Sequence, residues 1–181
     1  MWYQHKRRVY YKETDQMGVV HHGNYLSWFE VSRLEWMRHF DLSYQRLEEE
    51  GLYLPVIETH LQFKRSAYFD DCIAVFTRLI EVSPTRLSFA YEVRRLDEKT
   101  YLVEGLEAAQ KRLIGERLVV GETHHIWATL GSEKSGPNQS EPNREGVTGV
   151  GVRRRTEWQL VRLNRRAPEL LEQFKALVSQ T

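Results

Sequence analysis

The chain has 181 residues, 41% of them hydrophobic, which suits one domain with a sizeable core and leaves too little for a second full one. Its 26 Lys and Arg nearly balance 25 Asp and Glu, so there is no bulk basic charge to suggest nucleic-acid binding. The single cysteine, Cys72, excludes an internal disulfide and a cysteine-built metal site, and within "DDCIAVF" it reads as core. The opening "MWYQHKRRVYY" lacks the apolar stretch of a signal peptide, and no apolar run approaches the ~18 residues of a membrane span. A cytoplasmic location is expected.

In chain order, "RRVYYK" (7–12) is a short β-rich run, and the next twelve residues read as a loop. Asn24 is placed to cap a helix over 25–40, "YLSWFEVSRLEWMRHF". Leu26, Phe29, Met37 and Phe40 form its stripe. Tyr25, Trp28, Val31, Leu34 and Trp36 widen the apolar surface until the helix should be mostly enclosed. A short helix follows in "SYQRLEEEG", with Ser43 as N-cap and Gly51 as stop. Beyond Gly51 the period changes to two. "YLPVIETHLQFKRS", "DCIAVFTRLIEV", "RLSFAYEVRRL" and "RLVVGETHHIWATL" read as strands. Between the last two, residues 97–115 look inserted. Leu102, Leu106, Ala109 and Leu113 suggest a short helix there, with a strand hairpin as the competitor.

Strands in succession favour an antiparallel sheet, and the long apolar helix needs that sheet as its cover. The expected class is α+β, a curved antiparallel sheet wrapped around a central helix. It would occupy residues 1–130. Residues 131–156 hold five of the eleven glycines and no large apolar side chain but valine, as a flexible linker would. Residues 157–181 recover helical spacing at Trp158, Val161, Leu170, Phe174 and Leu177, with Pro168 as a break or a second start. Whether this tail docks on the core or meets a partner is open from spacing.

The chemistry concentrates in "ETDQMGVVHHGNY" (13–25). There is no serine-nucleophile elbow, P-loop or dinucleotide fingerprint. The adjacent pairs His21-His22 and His124-His125 do not have metal-ligand spacing, so a metal site would need distant residues, and none is expected. What remains is Asp15, a loop carboxylate, and a helix start near His22, Gly23 and Asn24. First-turn N–H groups lack intrahelical partners and can hold a developing oxyanion. A facing carboxylate can attack the carbonyl carbon or activate a water. Gly18 would let the loop fold back. On spacing alone the commoner role for Asp15 is a turn residue accepting local N–H bonds, and for His22 an exposed loop residue. Glu30 and Glu35 lie on the helix; Glu35 reads as a paired or partly solvated helix acid, while Glu30, between Phe29 and Val31, would need a partner if buried. Lys64 and Arg65, at a strand end, are candidate phosphate contacts as well as ordinary surface charges. Arg153-Arg154-Arg155 reads as a solvated run in the linker.

"VYYKETDQMGVVHHGNYLSWFEVSRLEWMR" resembles the opening motif of the 4-hydroxybenzoyl-CoA thioesterase family of hotdog-fold proteins, in its Tol-Pal-associated branch. The resemblance rests on Tyr11, Asp15, Gly18, His22, Asn24 and Tyr25, with Glu30 in the helix. A second stretch, "LQFKRSAYFDDCIAVFTRLIEV", is similar to the family's strand, turn and Asp-Asp strand start. Together they cover roughly residues 5–130. The resemblance implies a hotdog fold, hydrolysis of an acyl-CoA to free acid and CoA, and Asp15 as the catalytic acid. It implies a polarising N–H at His22, with Tyr11 and the His22 side chain lining the site, and no cofactor. It further implies a dimer or dimer of dimers with CoA at a subunit interface. The 97–115 insertion and the segment after 130 have no counterpart in that motif. Two other readings stand beside hydrolysis: a hydratase or dehydratase of acyl thioesters on the same fold, and a non-catalytic thioester-binding or scaffold module.

Overall fold

The computed structural model describes residues 1–102, 113–130 and 158–179. Its main sheet is built from β1 (Tyr3–Arg8), β2 (Val56–Phe63), β3 (Cys72–Val82), β4 (Arg86–Arg95) and β5 (Glu116–Ile126). They lie in the order β1-β3-β4-β5-β2, every neighbouring pair antiparallel. The period-two runs after Gly51 thus become strands as expected. β1 is the exception. It starts at Tyr3 and ends at Arg8, and Tyr11–Glu13 form a turn of 3-10 helix instead of continuing it.

Helix α1 (Asn24–His39) lies on one face of the sheet. Phe29 stacks on Tyr91 at 4.2 Å, and Trp36 meets Phe89 edge-on at 5.3 Å. Such pairs contribute about 1 kcal/mol each beyond the area they bury. Gly121 of β5 allows this approach: a Cβ there would come within 2.6 Å of Phe29 Cε2 and 3.0 Å of the His60 carbonyl oxygen. Tyr25, Trp28, Phe29, Trp36 and Met37 are buried, but Leu26 and Val31 are 41% and 42% exposed. The enclosure expected for most of α1 is therefore confined to one side of it. The second helix, α2 (Tyr44–Glu49), forms as read, with Ser43 Oγ accepting the Arg46 N–H and Gly51 at φ +72° ending it.

A buried polar network ties α1 to β5. His125 is fully buried, and its Nδ1–H donates to the Leu54 carbonyl at 3.0 Å. That leaves Nε2 to accept from Arg33 Nη1 at 3.2 Å and from the Thr123 hydroxyl at 2.9 Å. Burial, then the Arg33 charge, lowers the His125 pKa to about 4.

Helix α3 (Glu98–Leu102) starts the expected insertion, and Lys6 Nζ donates to its Thr100 and Tyr101 carbonyls. Leu106 and Ala109, and the linker over 131–156, lie outside the described residues. Trp158 departs from the expected helical face. Trp158–Leu160 form a strand, β7, paired with β6 (Ala128–Leu130), because residues 128–130 offer a main-chain partner that local spacing does not reveal. Helices α4 (Leu163–Arg166) and α5 (Pro168–Ser179) follow, and Pro168 opens α5, where its missing N–H costs nothing. Leu163, Leu171 and Phe174 are buried in the main core, with Phe174 against Trp127 at 5.6 Å. The tail docks on its own domain.

Candidate active site

The loop that carries Asp15 is anchored by Glu13, two residues earlier. The Glu13 carboxylate is buried and takes Arg7 Nη2 at 2.6 and 2.7 Å, the Tyr10 N–H at 2.7 Å and the Trp28 indole N–H at 2.8 Å. Its carbonyl accepts the His21 N–H at 2.9 Å and Asn24 Nδ2–H at 2.7 Å. One residue thus ties β1, the loop and α1 together. Asn24 does not cap α1 as expected. Its side chain is spent on Glu13, and the N-cap position falls to Gly23, which has no side chain to cap with. The N-cap residue therefore contributes no side chain to the helix opening.

From this anchor the chain folds back on itself. Asp15 N–H donates to the Val19 carbonyl and Gly18 N–H to the Asp15 carbonyl, both at 2.9 Å, with Gly18 at φ +75°. That left-handed conformation is the one glycine adopts without strain. Asp15 Oδ1 accepts the Met17 N–H at 2.8 Å, so the turn role of Asp15 is realised. It occupies one oxygen. Among the described residues Oδ2 has no partner. A second loop runs beside the first: Val20 N–H donates to the Ala67 carbonyl at 2.9 Å, and Val19 bridges to Tyr68. Arg95 fixes that second loop through the Ser66 carbonyl at 2.7 Å and Asp71 Oδ2 at 2.9 Å.

Between the two loops and the start of α1 is a cleft of about 280 Å³, open to solvent. Asp15, His22, Tyr25, Lys64 and Arg65 line it, together with Phe63 and Ser66. Lys64 and Arg65 are set side by side because both N–H groups donate to the Leu118 carbonyl, at 2.8 and 3.0 Å. The Lys64 ammonium donates to Gln62 Oε1 at 2.9 Å, and Arg65 pairs with Glu116 at 3.0 Å. The Tyr25 ring is buried, edge-on to Trp28 and to Phe63, and burial raises its hydroxyl pKa. The N–H groups at the helix mouth are unequal. Gly23 N–H donates to His21 Nδ1 at 3.2 Å and Asn24 N–H to the His21 carbonyl at 3.0 Å. Among the described residues nothing accepts the His22 N–H. The His22 ring is exposed and lies against His21 at 4.1 Å.

Five of the nine expected site residues therefore share one cleft. Gly18, Gly23 and Asn24 shape it without lining it. Tyr11 is outside: its ring is 77% exposed and edge-on to Phe69 at 5.7 Å. Glu30 is exposed, and Glu35 is ion-paired with Arg38, so neither helix acid faces the cleft. Spacing did not reveal Glu13, Arg7 or Arg95. The one signal for this second set was the Asp-Asp strand start, whose Asp71 is the partner of Arg95.

Residues 9–134 match the family described as the thioesterase-like superfamily. The chain belongs to that superfamily. Its sheet and central helix are the hotdog fold that the opening motif implied. An acyl-CoA thioesterase, YbgC, of Haemophilus influenzae is 36% identical over 89 residues, 49% of this chain and 65% of that protein. The acyl-CoA thioester hydrolase YbgC of Escherichia coli is 33% identical over 86 residues, 48% of this chain and 64% of that one. These matches span just under two thirds of the curated relatives. A solved DHNA-CoA thioesterase from Staphylococcus aureus superposes with a TM-score of 0.70 at 25% identity. That superposition covers 98% of this chain and 91% of the other.

Proposed function

We propose that the chain hydrolyses an acyl-CoA thioester, with Asp15 as the catalytic carboxylate and the His22 N–H as the oxyanion donor. One observation carries the reading: His22 and Asp15 line the same cleft, and among the described residues the His22 N–H and one Asp15 carboxylate oxygen have no partner. The superfamily and the named relatives support the reaction class. The thioester carbonyl oxygen sits on the His22 N–H, which strengthens its hold as negative charge develops there. Asp15 then attacks the carbonyl carbon, or takes a proton from a water that does. The C–S bond breaks, the thiolate of CoA leaves and takes up a proton, and water supplies the oxygen of the free acid. The Met17 N–H on Oδ1 keeps the carboxylate aimed while Oδ2 works. Lys64 and Arg65 meet the phosphates of CoA at the edge of the cleft.

Among the described residues β2 pairs with β5 on one side only, and Val56, Ile57 and Phe63 on it are about half exposed. Hotdog proteins are typically oligomers, and this open edge supports a dimer, or a dimer of dimers, with CoA at a subunit interface. Among the described residues no helix is long and apolar enough to cross a membrane. A cytoplasmic location goes with a CoA ester as substrate.

The test is release of CoA from saturated aliphatic and aromatic acyl-CoAs, followed with a thiol reagent, for wild type and Asp15→Asn in parallel. Turnover by wild type alone supports the assignment. A saturated chain offers nothing to hydrate, so thiol release also excludes the hydratase. Binding without turnover in both proteins would leave the non-catalytic module.

A further inference from the structure

The face of the sheet opposite α1 carries a row of polar side chains that thioester hydrolysis does not use. In register across four adjacent strands lie Glu81 (β3), Ser88 (β4), His124 (β5) and Glu58 (β2), each directly opposite the next. Directly opposed residues in antiparallel strands point to the same face. An extra residue in β3, Ile80, brings Glu81 rather than Ile80 itself opposite Ser88. His60 stands two residues along β2 from Glu58 and so on the same face.

The hydrogen bonds in this row fix the His124 tautomer. The Ser88 hydroxyl has one hydrogen, and it goes to Glu81 Oε2 at 2.9 Å, because a carboxylate can only accept. Ser88 Oγ must then accept from His124 Nδ1–H, at 2.8 Å. The proton of the neutral ring is thereby held on Nδ1, and Nε2 presents a lone pair. Such an arrangement, in which an outer partner holds one ring nitrogen and leaves the other bare, is how metal-binding histidines are oriented. Glu58, His60 and His124 bring one ligand atom each to within 4.8 Å of one another. His60 Nε2 is 2.8 Å from Glu58 Oε1, and Glu122 Oε2 stands 4.0 Å from His124 Nε2.

We propose that His60, His124 and Glu58 form a binding site for a borderline divalent transition-metal ion such as Zn²⁺, with Ser88 and Glu81 orienting His124. Two imidazoles and a carboxylate are a donor set that such ions prefer over Mg²⁺ or Ca²⁺. Bonds of about 2.1 Å in tetrahedral geometry put ligand atoms about 3.4 Å apart, so His60 and Glu58, now at 2.8 Å, open slightly while wider separations, up to 4.8 Å, close by roughly an ångström. On binding, the ion displaces the proton shared by His60 and Glu58. Glu122 or water completes the shell. The site clasps the edge strand β2 to β5, and it does not depend on the thioesterase reading. No metal was expected from sequence because His124 lies more than 60 residues from Glu58 and His60, and the β2–β5 register brings it to them.

The test is calorimetric titration of ZnCl₂ into chelator-treated full-length protein, with thermal melting in Zn²⁺ and in EDTA. Wild type is expected to bind one ion per chain and to melt higher with Zn²⁺ than with EDTA. His60→Ala, at a largely exposed side chain that the fold does not need, and the His60→Ala/His124→Ala pair should lose saturable binding and the gain in Tm. Ser88→Ala keeps every ligand and should bind about tenfold more weakly, the usual effect of losing an orienting partner. Wild-type binding in the double variant would assign the ion to other histidines and overturn the proposal. Absence of saturable binding in wild type would also overturn it. Unchanged affinity in Ser88→Ala would remove the orienting role.

Discussion

Two groups of charged residues flank α1, and the fold treats them in opposite ways. Beneath the helix, Glu13 and His125 are enclosed with their partners: the first receives Arg7, Trp28 and the Tyr10 N–H, the second has both ring nitrogens bonded. At the mouth of the helix, Asp15 keeps an oxygen and His22 an N–H without a partner among the described residues, and Lys64 reaches only Gln62. Enclosed charges that are paired set geometry, and losing one partner strands the other. Open charges contribute little to stability but are free to meet a ligand. Glu13 and Asp15, two residues apart, show the division most sharply. The buried acid builds the loop, and the half-open one is the catalyst proposed within it.

If that division holds, exchanging a charge in the cleft changes activity and leaves stability, whereas exchanging an enclosed one does the reverse. The largest effect should come from Asp15→Asn, with kcat/KM down about a thousandfold, or roughly 4 kcal/mol in the barrier. Its urea midpoint should stay within about 0.5 kcal/mol of wild type. Next is acid. His125 titrates at about 4 folded and 6.5 unfolded, so the unfolded chain binds the extra proton between those values. Its contribution is complete above pH 6.5, falls as pH drops towards 4, and amounts to about 3 kcal/mol. Urea unfolding of wild type and His125→Gln across that window should show the slope in the first and its loss in the second. Glu13→Gln should cost about 2 kcal/mol of stability by removing the charge opposite Arg7, while the residual folded fraction keeps measurable turnover. The smallest effect belongs to Lys64→Ala: KM for acyl-CoA up about fivefold, less so at high salt, with kcat and Tm nearly unchanged.

Much of the fold was legible in local pattern. The period-two runs became strands, Ser43 and Gly51 bounded α2 as read, and Asp15, His22, Tyr25, Lys64 and Arg65 share a cleft. What local pattern missed is what distant main chain decides. Asn24 has the right chemistry to cap a helix, yet the Glu13 carbonyl claims its amide. Trp158 fits a helical spacing, yet the main chain of residues 128–130 draws it into a strand. Gly121 gives no local sign that Phe29 needs its missing side chain. Glu13 looked like one more loop acid because its partners Arg7 and Trp28 lie on two different elements. The opening motif compensated for part of this, since it carries the loop and the helix start as one unit.

The most direct test of the central claim is a crystal structure of Asp15→Asn soaked with a slowly turned over acyl-CoA. The account predicts the thioester in the cleft, its carbonyl oxygen about 3 Å from the His22 nitrogen and its carbonyl carbon facing residue 15. A thioester bound elsewhere, or in the cleft with its carbonyl turned away from the His22 N–H, would contradict it.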